Sequence, residues 1–397
     1  MATRLERLAE LAVHGANVQE GQILMVAAEL GQEDLARAVA AAGYDRGAKF
    51  VDVVYFDPYL KRARVENADP STLDFVPTWY GTRFLEHAEQ QGARVSFSGP
   101  TAPNLLDGLD PALVGKDMLP RVKELTKIVS DRSTNWCIVP APHPAWAQLV
   151  YPDLSPDDAF EKLWQELEHV LRLDEPDPPA AWDARMDVLK DAAARIAARA
   201  FDAIELRGPG TELSIGLLPT HRWWAADFQR ADGLRHLPNL PTEEVFTTPD
   251  PARTNGHVTS TKPLVLRDGT IVRGLRVEFE NGVATRIDAD ENGGALASAV
   301  DIDEGARRLG ELALVDRQGR IGPLGTVFYD TLLDENAASH IALGAGFPFL
   351  VEDDVKSRVN SSAQHIDFMI GSPEVEVDGV TADGTRVPVL RGGDWQL

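Results

Sequence analysis

Short apolar runs alternate with helix-period patterns along residues 1–150. Ile23-Leu24-Met25-Val26 reads as a buried strand. Gln32 to Ala42 reads as a helix with Leu35, Ala36, Val39 and Ala40 on its inner stripe, and Gly43 is placed to end it. Phe50 to Tyr55 predicts the next strand, and a helix from about Pro77 to Gln91 precedes a strand at Arg94 to Phe97. A further helix, Leu119 to Ile128, leads to a strand at Trp136 to Val139. Strands that are apolar nearly throughout and alternate with helices imply a parallel sheet covered on both faces.

The pattern then changes. Leu173 to Trp182 holds three prolines and three acids, the best boundary in the chain, and a helix rich in Ala and Arg is predicted from Asp183 to Ala203, with Leu189, Ala192, Ile196 and Ala200 inward. From about Glu205 the periodicity shortens. Leu275 to Glu280 alternates apolar and charged residues, turns at Asn281-Gly282 and returns as Val283 to Ile287. Asn-Gly between alternating runs signals a type I′ hairpin, because both central residues need φ > 0. Asp268-Gly269 and Asp383-Gly384 predict similar turns. The expected fold is α/β plus α+β: an N-terminal doubly wound α/β domain over residues 1–175, and a C-terminal domain over 176–397 whose largely antiparallel sheet carries the functional site.

Composition narrows the class. With 397 residues, 44% of them hydrophobic, the chain has ample core, which excludes disorder. Thirty-nine basic against 62 acidic residues give a net charge of −23, and no run of five Lys or Arg occurs. Nucleic acid and anionic membranes are therefore not expected partners. The amphipathic start, Leu5, Leu8, Leu11 and Ala12 on one face, lacks the apolar core of a signal peptide, and no apolar run approaches the roughly 20 residues of a membrane span. A cytoplasmic protein is expected. The lone Cys137, in an apolar stretch, reads as core.

Familiar nucleotide and nucleophile signatures are missing. Gly108 to Lys116 ends in Gly-Lys with the wrong glycine spacing, and Asp117 stands where a P-loop has Ser or Thr. There is no Gly-x-Ser-x-Gly elbow and no His-Glu-x-x-His helix, and one cysteine excludes a Cys-rich zinc site. What remains is a concentration of histidines and acids in the last third. His365-x-Asp367 lies on an apolar-flanked strand, where period two puts both side chains on one face. That pair is either two metal ligands or a hydrogen bond holding a core histidine. Glu335 and His340 are five apart, so a helix start or a bend must lie between them if they converge. Glu311 sits among small and apolar residues and reads either as a site acid or as a solvated helix residue; Glu243-Glu244 reads as an acid pair in or beside a loop.

Together these segments resemble the aminopeptidase T family of metallopeptidases. The resemblance rests on Asn239 to Thr247, Asn255-Gly256 with Ser260 to Leu264, Asp303 to Glu311, Asp334-Glu335-Asn336 through His340 to Gly344, and His365 to Gly371, in the family's order. It implies a metal site of Glu244, Glu311, Glu335, His340, His365 and Asp367, serving two divalent ions (Zn²⁺, Co²⁺ or Mn²⁺). Four buried carboxylates around one dication would leave uncompensated charge, whereas two dications balance them. The implied activity is removal of N-terminal residues from peptides by a homodimer. Glu311 is the best bridging carboxylate, Glu244 or Glu311 the proton carrier, and a part for Glu243 stays open. One departure is Phe347, where the family carries a tyrosine near the metals. It leaves room for two other readings: a dinuclear hydrolase of non-peptide amides or esters, and a metal-stabilised binding protein.

Overall fold

The computed structural model describes residues 2–117, 119–120, 122–225, 227–266 and 270–397, so the turn expected at Asp268-Gly269 lies outside the described residues. The chain forms two compact bodies. One comprises Met1–Asp183 with Asp227–Pro241, the other Ala184–Ala226 with Thr242–Leu397. No helix among the described residues is long and apolar enough to cross a membrane.

The first body is a doubly wound α/β layer, as its alternation of patterns implies. Strands β1 (Ile23–Glu29), β2 (Phe50–Phe56), β3 (Ala93–Ser98) and β4 (Asn135–Pro140) make a parallel sheet in the order β2-β1-β3-β4. Leu24, Met25, Val26, Val95 and Cys137 are buried along its centre. Burial pushes the Cys137 thiol up, which keeps it protonated and inert. At the sheet edge β2 is only half covered, and Phe50 is exposed.

Three helices differ in their boundaries from expectation, two of them for identifiable reasons. Gly43 does not end its helix, which runs Glu33–Asp45; a Cβ there would lie 2.5 Å from Leu24 Cδ2, so the glycine lets the helix press onto β1. The helix expected from Leu119 begins at Lys123 and runs to Ser130. The helix expected over Asp183 to Ala203 spans Pro178–Ala197 instead. Its prolines occupy the first turn, where a missing N–H costs no intrahelical bond. It stops short because Ala200, exposed rather than inward, takes φ +49° before a strand begins at Ala203.

The second body holds two large antiparallel sheets and, among the described residues, a two-stranded ladder of 264–265 with 271–272. Eight strands lie in the spatial order 283–288, 276–280, 249–259, 211–217, 203–208, 376–380, 386–391, 394–395. The Asn281-Gly282 hairpin is of the expected type, with φ +50° and +84°. A Cβ on Gly282 would sit 1.9 Å from Pro251 O, so only glycine fits. The second sheet, of five strands, carries the candidate site and is described below.

In the first body, the stretch Asp227–Pro241 runs beside β4. Ile138 N donates to Pro238 O at 2.8 Å and Leu240 N to Ile138 O at 2.9 Å. His236 stacks on Trp136 with ring centroids 4.4 Å apart, is buried, and has no hydrogen-bond partner in good geometry at either ring nitrogen. Burial holds its pKa down to about 4. An unfolded imidazole takes up a proton near pH 6.5, so between those values the unfolded chain binds a proton that the folded chain refuses. Stability intact above about pH 6.5 is therefore lost as pH falls toward 4. His236→Gln is expected to lessen the loss of unfolding free energy between about pH 7.5 and 5 by roughly 1–2 kcal/mol, followed by urea titration. An unchanged pH slope in that variant refutes the assignment.

Candidate metal centre

The five-stranded antiparallel sheet consists of β5 (Trp224–Ala225), β6 (Glu244–Thr247), β7 (Leu309–Val315), β8 (His340–Gly344) and β9 (His365–Met369), in the order β9-β8-β7-β6-β5. Its register explains why acids and imidazoles separated by more than a hundred residues converge. Glu311 pairs with Ala342, which pairs with Asp367; Ala313 pairs with His340, Gly344 with His365, and Glu244 with Val315. Directly opposed residues share a face, and so do residues two apart along a strand. Glu244, Glu311, His340, His365 and Asp367 therefore all project from one side of the sheet. Ala313, Ala342 and Gly344 fill the positions between them, leaving room for the larger side chains to lean together.

Contacts follow this geometry. His340 Nε2 lies 3.1 Å from Glu244 Oε2. His365 Nε2 lies 3.1 Å from Glu311 Oε2 and 3.3 Å from Asp367 Oδ1. The other ring nitrogens face backbone: His340 Nδ1 donates to Ala338 O at 3.2 Å, and His365 Nδ1 to Ala345 O at 2.8 Å. Those bonds fix the tautomer and turn both Nε2 atoms toward the carboxylates, the arrangement of metal-binding imidazoles. Glu244, Glu311 and His340 are buried, while His365 keeps 27% of its side chain exposed and marks the open side.

Glu335 reaches the cluster from the end of the short helix Thr331–Glu335, and lines a small cleft with Asp334 and Asp367. Asp334, buried beside it, accepts from Phe328 N at 2.8 Å and Asp330 N at 3.2 Å. It shapes the loop that delivers Glu335, and burial pushes it up to about 7.

Electrostatics identify what the cluster lacks. Burial, with Asp367 and Glu244 nearby, raises Glu335 well above the ordinary carboxylate range, and burial raises Glu311. Burial opposes charge on His340, but Glu244, Glu311 and Asp367 outweigh it and push the ring up to about 10. His365 is raised well above its usual value in the same way, by Asp367 and Glu311. Glu335 and Glu311 thus favour their protonated forms, while the two imidazoles hold Asp367 below the usual carboxylate range against its burial. Glu244 Oε2 and Asp367 Oδ1 are also buried without an aligned hydrogen-bond donor. Oxygen and imidazole donors of this kind fit divalent cations. Two triads of donor atoms, Glu244/Glu311/His340 and Glu311/His365/Asp367, each lie within 4.8 Å of one another and have Glu311 in common.

Several positions differ from the sequence reading. Glu311 stands on a fully buried strand, not on a solvated helix. The spacing of Glu335 and His340 does behave as read: the chain changes direction between them, one ending a helix and the other opening β8. Glu243 points away from Glu244 into a buried ion cluster with Arg185, 2.5 Å from its Nε. Arg185, Asp316 and Asn336 had no signal in the sequence, since a lone Arg in an amphipathic helix, an acid at a strand end and an Asn after an acid are commonplace.

Comparison with known proteins adds the lineage. A family model described as thermophilic metalloprotease (M29) matches residues 1–395. The chain belongs to this thermophilic metalloprotease family. It is 40% identical to aminopeptidase T of Thermus aquaticus over 407 aligned positions, covering 99% of this chain and 98% of that one. It is 36% identical to aminopeptidase 2 of Geobacillus stearothermophilus, with 98% and 97% covered. The solved structure of wild-type AmpT from Thermus thermophilus superposes with a TM-score of 0.93 at 39% identity, covering 99% of both chains. Membership of the thermophilic metalloproteases supports use of divalent metal, and the crowded acids and imidazoles are donors of a kind that fits it.

A metal that takes these imidazoles as ligands must displace the protons that their carboxylate neighbours retain at neutral pH. Titration of chelated protein with Zn²⁺ or Mn²⁺ near pH 7.5 is expected to release on the order of one proton per imidazole, with affinity falling as pH drops. Calorimetry in buffers of different ionisation enthalpy counts them. Metal uptake with no proton release would show that neither ring becomes a ligand.

Proposed function

We infer that this chain is a metal-dependent aminopeptidase, and we propose that it works with two divalent ions. The observation that carries the second part is the pair of donor triads meeting at Glu311. Glu244 and His340 would complete one position, His365 and Asp367 the other, with Glu335 adding its carboxylate. Bound there, the ions supply water activation and polarisation of the scissile carbonyl.

The chain's own groups do the rest. His340 and His365 are aimed by their Nδ1 bonds to Ala338 O and Ala345 O, so neither ring can turn its Nε2 away. Glu311, placed between the two triads, holds them in fixed relation. Glu244 then carries the proton from the attacking water to the leaving nitrogen, because its Oε2 already lies within hydrogen-bond reach of an imidazole and Glu311 has two positions to serve. The acid-rich face also attracts the ammonium end of a peptide, which favours attack at the first residue over the interior. Peptides are the partners this reading calls for, and a homodimer in the cytoplasm remains its expected form.

Phe347 favours a second reading. Its ring centroid is 5.5 Å from that of His365 and 5.4 Å from that of Phe246, so an apolar surface without a hydroxyl borders the open side of the site. A non-peptide amide or ester would suit that surface.

Leucine p-nitroanilide and short peptides, offered to chelated protein before and after addition of Zn²⁺, Co²⁺ or Mn²⁺, distinguish the two. Metal-restored release of N-terminal residues is expected, with two ions bound per chain by elemental analysis. Glu311→Gln is expected to lower kcat/KM on the order of 100-fold or more. Full activity in that variant refutes the shared-ligand role, and silence on every peptide from protein loaded with two ions favours the second reading.

A further inference from the structure

Behind the metal-facing side of the second body lies an ion cluster that the hydrolytic reading does not use. Arg185, on the helix Pro178–Ala197, is 6% exposed, Asp316 3% and Glu243 fully buried. The guanidinium contacts both acids: Nε to Glu243 Oε2 at 2.5 Å, Nη2 to Asp316 Oδ1 at 2.7 Å and Nη1 to Asp316 Oδ2 at 3.2 Å. Trp395 Nε1 donates to the same Asp316 Oδ2 at 2.6 Å. Glu243 N donates to Asn336 Oδ1 at 2.6 Å, and buried Asn336 is anchored through Nδ2 to Leu332 O at 2.9 Å.

Three members adjoin, in sequence, candidate ligands or the strand paired with one. Glu243 precedes Glu244, Asp316 follows the Val315 that pairs with Glu244, and Asn336 follows Glu335. Glu244 is the first residue of a four-residue strand, the place where a ladder constrains a side chain least. Consecutive side chains of extended backbone point to opposite sides, so gripping the Glu243 carboxylate from behind sets the rotation with which Glu244 faces forward. A buried cluster of one cation and two anions is a poor stabiliser compared with apolar packing of the same volume. The planar fork of arginine, holding two carboxylates at fixed angles, is instead suited to defining orientation.

We propose that Arg185 is a positioning residue for the metal centre: by clamping Glu243 and Asp316, with Asn336 tied to the same backbone, it sets where Glu244 and Glu335 present their carboxylates. This rests on the reading of those acids as metal ligands. Loss of the clamp leaves two buried carboxylates free to repel each other and lets the start of β6 turn.

The test compares Arg185→Met and Arg185→Lys with Asp378→Asn. Asp378 is a buried acid in the other sheet, paired with Arg207 and Arg391, and serves as a control for the loss of a buried ion cluster. Zn²⁺ and Mn²⁺ dissociation constants are measured on folded protein by competition with a chelator, alongside thermal midpoints of the chelated proteins. Arg185→Met is expected to weaken metal binding by about 10- to 100-fold, in the range usual for residues that orient ligands. Arg185→Lys, which keeps the charge and loses the fork, is expected to recover part of it. Asp378→Asn is expected to lower the midpoint and leave metal affinity alone. Should Arg185→Met not fold, Glu243→Gln replaces it and is expected to weaken binding in the same direction. Wild-type affinity in a folded Arg185→Met, or in Glu243→Gln if that stands in, overturns the clamp. A wild-type protein that takes up no divalent ion overturns the metal reading itself.

Discussion

Mutual repulsion among buried carboxylates is the constraint on which the second body depends. Glu244, Glu311 and Asp367 meet on one side of a five-stranded sheet with two imidazoles among them, and Glu335 adds its charge from the end of a short helix. Taken alone such a cluster of acids opposes folding, and the rise at Glu335 records the opposition as a retained proton. The fold tolerates it because the strands around it are secured independently: β7 and β8 are buried at every residue, and antiparallel ladders flank Glu311 on both sides. Cations bound there would convert this cluster into a centre of attraction.

Much of the architecture was legible in the sequence where local chemistry decides. Asn281-Gly282 demanded its turn, the apolar runs of the first body demanded a covered parallel sheet, and His365-x-Asp367 needed only period two to share a face. Where tertiary contact decides, residue patterns misled. Gly43 looks like a helix stop and is a point of close approach to Leu24. Glu311 has the neighbours of a helix residue, yet its place between β6 and β8 makes it a strand residue. For the site, the individual acids were visible, but their juxtaposition came into view only through family resemblance, because it depends on a cross-strand register no local window contains.

The acidic pairs show the same limit more sharply. Glu243 and Glu244 are identical neighbours in sequence, and only the fold assigns one to Arg185 and the other to His340. Asp334 and Glu335 divide in the same way, one holding its own loop through backbone amides and the other entering the cluster. In each pair one acid builds the support and its neighbour faces the ions.

The register of β8 against β9 carries a last consequence. Ala342 opposite Asp367 and Gly344 opposite His365 put both potential ligands on the acid-bearing face. Because side chains alternate, a slip by a single residue would turn His365 and Asp367 together to the reverse face and bring Ile366 and Phe368 among the carboxylates. Glu244, Glu311 and His340 would keep their places, so the slip would cost one donor triad and spare the other. Capture of an ion at the second triad would thus act as a proofreading step for assembly: only a chain whose edge strand has docked in the right frame can complete it.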